Sequence, residues 1–441
     1  MDALTPGLAP RSDRSTIDEP ALPAVQLEKL ERLVAILVSS NPFYGPRLRA
    51  AGLADGVGDL QRFRDLCPPT TKDEVVADQL RHPPAGSNLS FPRARYVRLH
   101  QTSGTSGAPL VWLDTEASWR AMLGNWRQVL SASDVGASDV VLVAFSFGPF
   151  LGFWTAFEAA WEQGCLALSG GGMSSESRLE LATRHGATVL MATPTYALRL
   201  AEVAASRSAA RPPIAKVIVA GEPGGSVDSV RRRLSEAWLG AEVLDHHGMT
   251  EVGPVSVPNR AHPGVLHVLE PSYLAEIVDP DADDRPVEPG EIGELLLTTL
   301  DRPGMPLLRY RTGDLVRRSS RSAEELGSSN LALDGGILAR RDDMVVVRGV
   351  NLYPSAVDRV LRTFPEVAEY RVELSTRRAM TEARLDVEPE AGAGVDLGRR
   401  LEAALRDAFQ LRLPVRLVDP GALPRFELKG RRWIRRTEEA G

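Results

Sequence analysis

Residues 187–192, ATVLMA, and residues 216–221, KVIVAG, are the two apolar runs that decide the fold class of this chain of 441 residues. Each is followed by a segment in which apolar residues recur at helical spacing, at 195–206 and at 226–238. Three more runs of the same kind are DVVLVAF at 139–145, CLALS at 165–169 and AEVLDHHG at 241–248. Near-continuous Val, Leu and Ile are typical of strands buried on both faces, and their alternation with helices favours a parallel sheet between two helical layers. The sequence therefore predicts an α/β fold with mixed, largely parallel sheets.

The segments on either side of this α/β region have different patterns. Residues 265–316 contain alternating strand patterns joined by Pro and Gly turns, which indicates a small antiparallel or barrel-like β-subdomain. Further on, the pattern becomes that of a small α+β unit, with helices predicted over 354–363 and 396–411. We therefore expect a flexible lead-in at 1–25, a large N-terminal domain at 26–339 and a small mobile C-terminal domain at 340–441.

Composition narrows the class of protein. Hydrophobic residues make up 43% and charged residues 25% of the chain, which is typical of a globular protein. The net charge of −6 disfavours a general attraction to nucleic acid or anionic lipid, and two cysteines cannot build a disulfide framework. The N-terminal segment lacks the apolar run of a signal peptide, and no stretch approaches the roughly 18 apolar residues of a membrane helix. We therefore expect a cytoplasmic protein that binds neither nucleic acid nor membrane.

A Ser/Thr/Gly loop follows the short predicted strand YVRLHQ at 96–101. Glycines let backbone N–H groups approach an anion closely and hydroxyls add donors, so the loop is a candidate phosphate-binding loop. A polar turn is the alternative interpretation, and the loop is not a Walker P-loop because no GK[ST] closes it. Its residues are Thr102, Ser103, Gly104, Thr105, Ser106 and Gly107.

Two further segments stand directly after predicted strands, at the sheet edge where α/β proteins bind nucleotides. The first is Ala220, Gly221, Glu222 and Pro223, and the second is His246, His247, Gly248, Met249, Thr250 and Glu251. A hydroxyl followed by a carboxylate, as in Thr250 and Glu251, offers hard oxygen ligands for Mg²⁺. Neighbouring strand residues face opposite ways, so His246 and His247 are not expected to share a zinc ion.

Polar segments in the second half of the chain complete the set of candidates. Asp314 follows a Gly turn, where a carboxylate can accept hydrogen bonds from ribose hydroxyls, although an ordinary Asp-containing turn also fits. Arg340 and Asp342 stand at the predicted domain junction, ahead of the turn at 348–349. Lys429 stands in a basic C-terminal segment, for which a tail that binds nucleic acid or is merely solvated is the simplest interpretation in isolation.

In this order and at these separations, the segments resemble those of the adenylate-forming superfamily of acyl-CoA synthetases across nearly the whole chain. The likeness is closer to the phenylacetate–CoA ligase family, because of the compact length, the stretch PPTTK at 68–72 and the ending LPR at 423–425. Within that family, HGMTEVGP at 247–254 resembles members that activate aryl acids such as substituted benzoates or anthranilates. The resemblance implies a large adenylation domain followed by a small mobile C-terminal domain.

The resemblance also implies roles in nucleotide binding. Residues 103–107 would grip the β- and γ-phosphates of ATP, and residues 221–223 would line the adenine. Residues 246–249 belong to the same ATP/AMP-binding set. Asp314 would hold the ribose hydroxyls, with Arg340 nearby.

The catalytic residues implied by the resemblance are Lys429, Thr250 and Glu251. Thr250 would contact the α-phosphate, Glu251 would ligate Mg²⁺, and Lys429 would bridge the acid carboxylate and the α-phosphate. Lysine occurs elsewhere only at positions 29, 72 and 216, which strengthens the assignment of Lys429. Asp342 would be the hinge about which the C-terminal domain turns. The implied coenzyme A contacts are Arg348 and Gly349.

Four positions depart from the family pattern. Ala108 stands where many relatives carry Lys, and Ser106 stands where Thr is usual, so the phosphate grip would rely more on backbone donors. His247 replaces the usual aromatic residue before the Gly-x-Thr-Glu segment, and Ala339 replaces the usual Gly before Arg340.

Aromatic residues after the strand at 139–145 are candidates for the acid pocket, since flat rings pack well against aromatic side chains. Buried core is an equal alternative for them. The candidate pocket residues are Phe145, Phe147, Gly148, Phe150 and Phe153, together with His246 and His247.

We therefore predict ATP- and Mg²⁺-dependent activation of an aromatic carboxylic acid, of benzoate, hydroxybenzoate, anthranilate or phenylacetate type. The products would be an acyl-adenylate and pyrophosphate, and the acyl group would then pass to coenzyme A. Transfer to carrier-protein phosphopantetheine or to an amine is one alternative. The other is a nucleic-acid-binding protein that uses the Arg-rich C-terminus, which the acidic net charge disfavours. The resemblance also suggests a homodimer.

Overall fold

The computed structural model describes residues 21–102, 109–145, 148–207, 210–348, 350–377, 380–426 and 432–435. Several predicted site residues lie outside these ranges, namely Ser103, Gly104, Thr105, Ser106, Gly107, Phe147, Gly349 and Lys429. The other predicted site residues belong to the part of the chain that the structure describes.

Four helices open the described chain, α1 (Leu22–Ser40), α2 (Tyr44–Ala50), α3 (Leu60–Leu66) and α4 (Lys72–Arg81). A capping box starts α4, in which the Thr71 side chain and Glu74 satisfy each other's free backbone N–H groups. The apolar faces of the first three helices pack on residues of the later β-subdomain such as Leu274 and Leu308. The helix predicted over 26–40 is therefore present, and it starts at Leu22.

A two-stranded antiparallel pair, β1 (Tyr96–Gln101) and β2 (Val111–Thr115), flanks the Ser/Thr/Gly loop. Helix α5 (Glu116–Ala132) follows, with Thr115 as its N-cap. The Gln101 backbone N–H donates to the carbonyl of Pro149 over 2.7 Å. The end of β1 is therefore held beside the Phe-rich segment around residue 148.

The central sheet has five parallel strands in the order β4-β3-β5-β6-β7. The strands are β3 (Val140–Val143), β4 (Leu166–Ser169), β5 (Val189–Ala192), β6 (Lys216–Val219) and β7 (Glu242–Asp245). The helices between them are α6 (Leu151–Glu162), α7 (Ser175–Arg184), α8 (Pro194–Ser206) and α9 (Asp228–Ala237). One core cluster joins α7, α8 and α9 to one face, and another joins α5 and α6 to the other. The predicted parallel sheet with helices on both faces is confirmed.

A seven-stranded antiparallel sheet forms the β-subdomain, in the order β10-β11-β16-β15-β14-β12-β13. After the short pair β8 (Gly248–Met249) and β9 (Gly253–Pro254), the elements are β10 (Ser256–Pro258), β11 (Val265–Val268), β12 (Tyr273–Asp279), β13 (Arg285–Pro286), β14 (Ile292–Thr299), β15 (Tyr310–Arg318), α10 (Ala323–Leu326) and β16 (Ala332–Arg340). Strand β16 was not predicted, because Gly335 and Gly336, both at positive φ, interrupt its apolar pattern. It pairs with β15 so that Arg340 lies opposite Asp314.

The C-terminal unit is an α+β structure, as the pattern predicts. Its elements are β17 (Val345–Val347), β18 (Val350–Leu352), α11 (Pro354–Leu361), β19 (Val367–Arg377), β20 (Met380–Pro389), α12 (Leu397–Phe409), β21 (Val415–Leu417) and β22 (Trp433–Arg435). The four-stranded sheet has the order β21-β20-β19-β22, and its apolar face packs on α11 and α12. No helix in the described part of the chain is long and apolar enough to cross a membrane.

Candidate functional site

The loop after β6 lies against the carboxyl ends of β6 and β7. Gly221 has a φ of +91°, a conformation that favours glycine, and lets the chain turn sharply. A β-carbon on Gly225 would lie 2.6 Å from a Val219 methyl group and 2.7 Å from the Asp245 β-carbon, so only glycine fits there. The Glu222 carboxylate accepts a 2.7 Å hydrogen bond from the backbone N–H of Thr195, in the first turn of α8. The predicted adenine loop is therefore tied to a second strand end.

A cleft brings the strand-end loops together with the end of the antiparallel sheet. The residues that line it include Gly221, Glu222, His247, Met249, Asp314 and Arg340. These residues come from segments that lie up to about 120 positions apart in the chain, so only the fold makes them neighbours. The structure thus brings most of the described nucleotide-site candidates into one place.

Asp314 is a buried carboxylate of this cleft that side chains hold in place. It is 2% exposed, and Gly313 before it has a φ of +76°. Its Oδ1 accepts from Arg340 Nη1 over 3.1 Å and its Oδ2 accepts from His247 Nε2 over 3.0 Å. A carboxylate offers about four acceptor positions, and the donors Arg340 and His247 fix the orientation of Asp314.

The adjacent His246 and His247 side chains have different partners. His247 binds Asp314, whereas His246 Nδ1 lies 2.8 Å from the carbonyl oxygen of Ser256 and its ring lies 4.4 Å from the Trp126 ring. Burial lowers the pKa of His246 to about 4, so its imidazole is neutral near pH 7. Within the described ranges, no group of three or more His, Cys, Asp or Glu side chains is arranged to hold a metal ion.

Arg302 holds the Thr250–Glu251 turn from below, and the sequence analysis did not single it out. Its Nη1 donates to the carbonyls of Thr250 over 3.0 Å and of Glu251 over 2.6 Å. Its Nε and Nη2 donate to the two carboxylate oxygens of Asp114 over 2.6 Å and 2.8 Å. Arg302 is 2% exposed and Asp114 is 0% exposed. The two residues are 188 positions apart, so no local motif could have linked them.

The Glu251 side chain is buried beside Arg340 and Lys72. Burial raises the pKa of its carboxyl, the positive charges of Arg340 and Lys72 lower it, and the negative charge of Asp314 raises it. A hard divalent cation would offset the cost of burying this carboxylate. The donor chemistry at Glu251 therefore fits Mg²⁺.

The predicted hinge lies in a short turn that joins the two sheets. Arg340 Nε donates to Asp342 Oδ1 over 3.0 Å, and Lys72 Nζ lies 4.0 Å from Asp342 Oδ2. Arg348 occupies the turn between β17 and β18 at a φ of +49°, and its Nη2 donates to Glu382 over 2.7 Å. Asp342 thus lies near Lys72 of the N-terminal region, whereas Arg348 binds Glu382 of the C-terminal unit.

The candidate acid-pocket residues divide into two environments. Phe145 and Phe150 are half-buried, and the Phe150 ring covers the α-carbon of Gly148. Phe153 is 1% exposed and belongs to the core cluster between α6 and the sheet. Its position agrees with the alternative interpretation of these aromatic residues as buried core. Trp154 Nε1 donates to the carbonyl of Gly148 over 3.1 Å and stabilises the turn.

Two arginines of the C-terminal segment, Arg425 and Arg432, are paired with carboxylates of the protein. Arg425 pairs with Glu388, and Arg432 donates to both carboxylate oxygens of Glu369 over 2.6 Å and 3.0 Å. Arg432 also reaches the Thr195 hydroxyl at 3.4 Å. These contacts account for the two arginines without a nucleic-acid ligand.

Comparison with known proteins agrees with this geometry. Residues 95–300 match the family model described as AMP-binding enzyme, and residues 349–436 match the one described as AMP-binding enzyme C-terminal domain. The phenylacetate-coenzyme A ligase of Thermus thermophilus is 30% identical over 440 residues, which cover 93% of this chain and 96% of the relative.

Two structures of 2-hydroxyisobutyryl-CoA ligase are also similar. The postadenylation state in complex with R3-HIB-AMP superposes with a TM-score of 0.85 at 26% identity, over 97% of this chain and 94% of that chain. The thioesterification state with 2-HIB-AMP and CoA covers the same shares at 27% identity with a TM-score of 0.69. The present arrangement therefore resembles the postadenylation state more than the thioesterification state.

These findings confirm the resemblance and the predicted fold class, and they confirm an AMP-forming carboxylate–CoA ligase that uses ATP, Mg²⁺ and coenzyme A. The chain belongs to the phenylacetate–coenzyme A ligase family of AMP-binding enzymes.

Proposed function

We propose that this ligase activates an aromatic carboxylic acid of the benzoate, hydroxybenzoate, anthranilate or phenylacetate type. The observation that carries the proposal is the hydrogen bond from the Gln101 N–H to the Pro149 carbonyl. It holds the Phe-rich segment, with Phe145 and Phe150, beside the start of the loop proposed to bind phosphate. An aromatic wall next to the phosphates suits a flat ring whose carboxylate must reach the α-phosphate.

The nucleotide would lie in the cleft at the strand ends. The loop at 220–223 would line the adenine, as its position over the ends of β6 and β7 supports. Asp314, oriented by His247 and Arg340, would accept the ribose hydroxyls. His247 would cover the nucleotide where relatives carry an aromatic residue.

In the first half-reaction, a carboxylate oxygen of the acid attacks the α-phosphorus of ATP, and pyrophosphate leaves with the electron pair of the broken P–O bond. The problem is to bring two anions together, so charge neutralisation and positioning should supply most of the rate. Thr250 would contact the α-phosphate, Lys429 would bridge it to the carboxylate, and Glu251 would hold the metal ion. Bound Mg²⁺ supplies positive charge against the phosphate oxygens.

In the second half-reaction, the coenzyme A thiolate attacks the acyl carbonyl carbon, and AMP leaves. The C-terminal unit, taken as residues 340–441, would turn about Asp342 to bring the Arg348–Gly349 turn to the site. Such a motion would break contacts between the two units, among them the hydrogen bonds of Arg432 to Thr195 and of Arg233 to Val367 and Glu390. A homodimer stays a prediction.

Acid-dependent exchange of pyrophosphate into ATP tests the proposal. The panel would contain benzoate, hydroxybenzoates, anthranilate, phenylacetate and a fatty acid, with wild-type protein and Lys429→Ala. We expect exchange with aryl acids that falls at least about 100-fold in the variant. Exchange with the fatty acid alone would contradict the aromatic assignment. A rate of exchange in Lys429→Ala equal to that of wild type would contradict the proposed role of Lys429.

The acceptor is tested on the same aryl acid. Release of the aryl-CoA thioester in the presence of coenzyme A supports the proposed function. Release of free adenylate with coenzyme A present, together with acylation of a carrier-protein phosphopantetheine or an amine, would favour the alternative acceptors.

A further inference from the structure

The neutral imidazole of His246 presents a hydrogen-bond acceptor at the wall of the cleft. Its Nδ1 lies 2.8 Å from the Ser256 carbonyl oxygen, which can only accept, so Nδ1 carries the ring proton. Its Nε2 is therefore an unprotonated acceptor. No hydrogen-bond partner for that nitrogen lies within the described part of the chain.

The neighbouring histidine does not offer the same group. His247 Nε2 is bound to Asp314, and its Nδ1 is enclosed by protein atoms and unpaired among the described residues. His246 Nε2, in contrast, faces the Gly248 backbone, where a β-carbon would lie 3.3 Å from it. Both histidines border the cleft, but His247 is committed to the carboxylate of Asp314.

The position of His246 places this acceptor beside the reacting end of the acid. Gly248 begins the strand β8, which leads within two residues to the Thr250–Glu251 turn. On the other side, the His246 ring lies 4.4 Å from the ring of Trp126 in α5, which belongs to the apolar core cluster against which Phe145 packs. The His246 ring thus neighbours Gly248, which leads to the proposed phosphate contacts, and Trp126, whose core cluster Phe145 packs against.

We propose that His246 Nε2 accepts a hydrogen bond from the acid, so that the preferred substrate carries a hydroxyl or amino group as donor. The inference rests on the proposed function for the location of the acid. An acceptor at the cleft wall loses its contact with water when an acid covers it, and only an acid that donates a hydrogen bond replaces that contact, so the site disfavours acids that cannot donate. A hydroxy- or aminobenzoate satisfies it, whereas a methoxy or unsubstituted analogue does not.

Matched pairs of acids test the proposal in the pyrophosphate exchange assay. Each hydroxy- and aminobenzoate is compared with its methoxy analogue and with benzoate, and 2-hydroxyisobutyrate is compared with isobutyrate. The proteins are wild type, His246→Phe, which removes the acceptor, and His246→Gln, which keeps an acceptor oxygen. Thermal melting checks that each variant is folded.

We expect wild-type kcat/KM to favour the donor acid at one ring position by about tenfold or more. The ratio should fall close to one in His246→Phe and recover in part in His246→Gln. If a variant does not fold, the wild-type ratios still decide, because a wild-type enzyme that prefers methoxy or unsubstituted acids overturns the proposal.

Two results would overturn the inference while leaving an aromatic substrate in place. One is a donor preference that survives in His246→Phe, and the other is a change confined to KM for ATP, which would assign His246 to the nucleotide. Exchange only with the aliphatic pair would contradict the aromatic assignment, and the ratio within that pair would still support or overturn the role of His246. No exchange with any acid would overturn both.

Discussion

The part of the cleft around Asp314, which we propose to bind the ribose, and the Thr250–Glu251 turn hold their carboxylates in opposite ways. Asp314 is paired on both oxygens, with Arg340 and His247. The Glu251 carboxylate makes no ion pair within the described ranges, and Arg302 holds its turn through backbone carbonyls. A carboxylate that accepts hydrogen bonds from neutral hydroxyls can be paired in advance. One that binds a cation lacks a direct ion pair until the cation arrives, although Arg340 and Lys72 lie nearby, and its burial then costs stability.

The largest effect is expected from Arg302→Met. The change leaves Asp114 as a buried carboxylate without its main partner and frees the carbonyls of the Thr250–Glu251 turn. We expect a loss of about 3–5 kcal/mol in the free energy of unfolding, measured by urea denaturation. The double variant Arg302→Met with Asp114→Leu should recover part of that loss, because it removes the unpaired charge.

Arg120→Met is the matched control for this prediction. Arg120 pairs with Glu116 on the surface of α5, where both side chains are at least 70% exposed. We expect a change below about 0.5 kcal/mol there. A similar loss in both variants would contradict the special role of the buried pair.

Glu251→Gln should separate stability from activity. Burial raises the folded-state pKa of Glu251 above its ordinary value of 4.5, so ionised Glu251 destabilises the fold. That cost is absent below the ordinary pKa, grows as the pH rises towards the folded-state pKa, and is full above it. Without Mg²⁺ at pH 7 the variant should therefore unfold at a higher temperature than wild type, and the two should converge as the pH falls below about 4.5.

Activity should change in the opposite direction in the same variant. We expect exchange to fall at least about 100-fold, and Mg²⁺ to raise the melting temperature of wild type in the presence of ATP but not that of Glu251→Gln. Equal Mg²⁺ stabilisation of both proteins would show that the ion binds elsewhere.

A smaller effect is expected from Asp314→Asn. The change weakens two charge-assisted hydrogen bonds and the proposed grip on the ribose, so KM for ATP should rise by about 10- to 100-fold. Initial rates at varied ATP measure it. Asp301→Asn, which loses only the part-exposed pair with Lys29, is the control and should change KM less than about twofold. An unchanged KM for ATP in Asp314→Asn would remove the proposed ribose contact.

The smallest effect is expected from Arg432→Met. Arg432 reaches Thr195 across the interface in an arrangement that resembles the postadenylation state, so its loss should weaken that arrangement. We expect exchange to fall about three- to tenfold. Thioester formation from synthetic acyl-adenylate and coenzyme A should fall less. Arg435→Met, at an exposed position of β22, is the control, and equal losses in both half-reactions would assign Arg432 a general structural role.

Much of the fold could be predicted because its signals are local. The five strands predicted between residues 139 and 248, and the helices that connect them, are present with their ends shifted by a few residues. Periodicity and helix caps depend on neighbours along the chain, so the sequence encodes them locally. Strand β16 escaped prediction because its two glycines obscure the strand pattern, yet it places Arg340 opposite Asp314. The Arg302–Asp114 pair escaped because neither residue belongs to a motif.

By itself the sequence determined the α/β class, the order of the motifs and the resemblance to adenylate-forming ligases, because these depend on residues close together in the chain. Only the tertiary structure decided which polar and charged side chains come into contact. In the folded protein His247 binds the carboxylate of Asp314, His246 binds the carbonyl of Ser256, and Arg302 donates to the carbonyls of the Thr250–Glu251 turn. Strand register and long-range packing bring these groups together, and no local pattern in the chain encodes them.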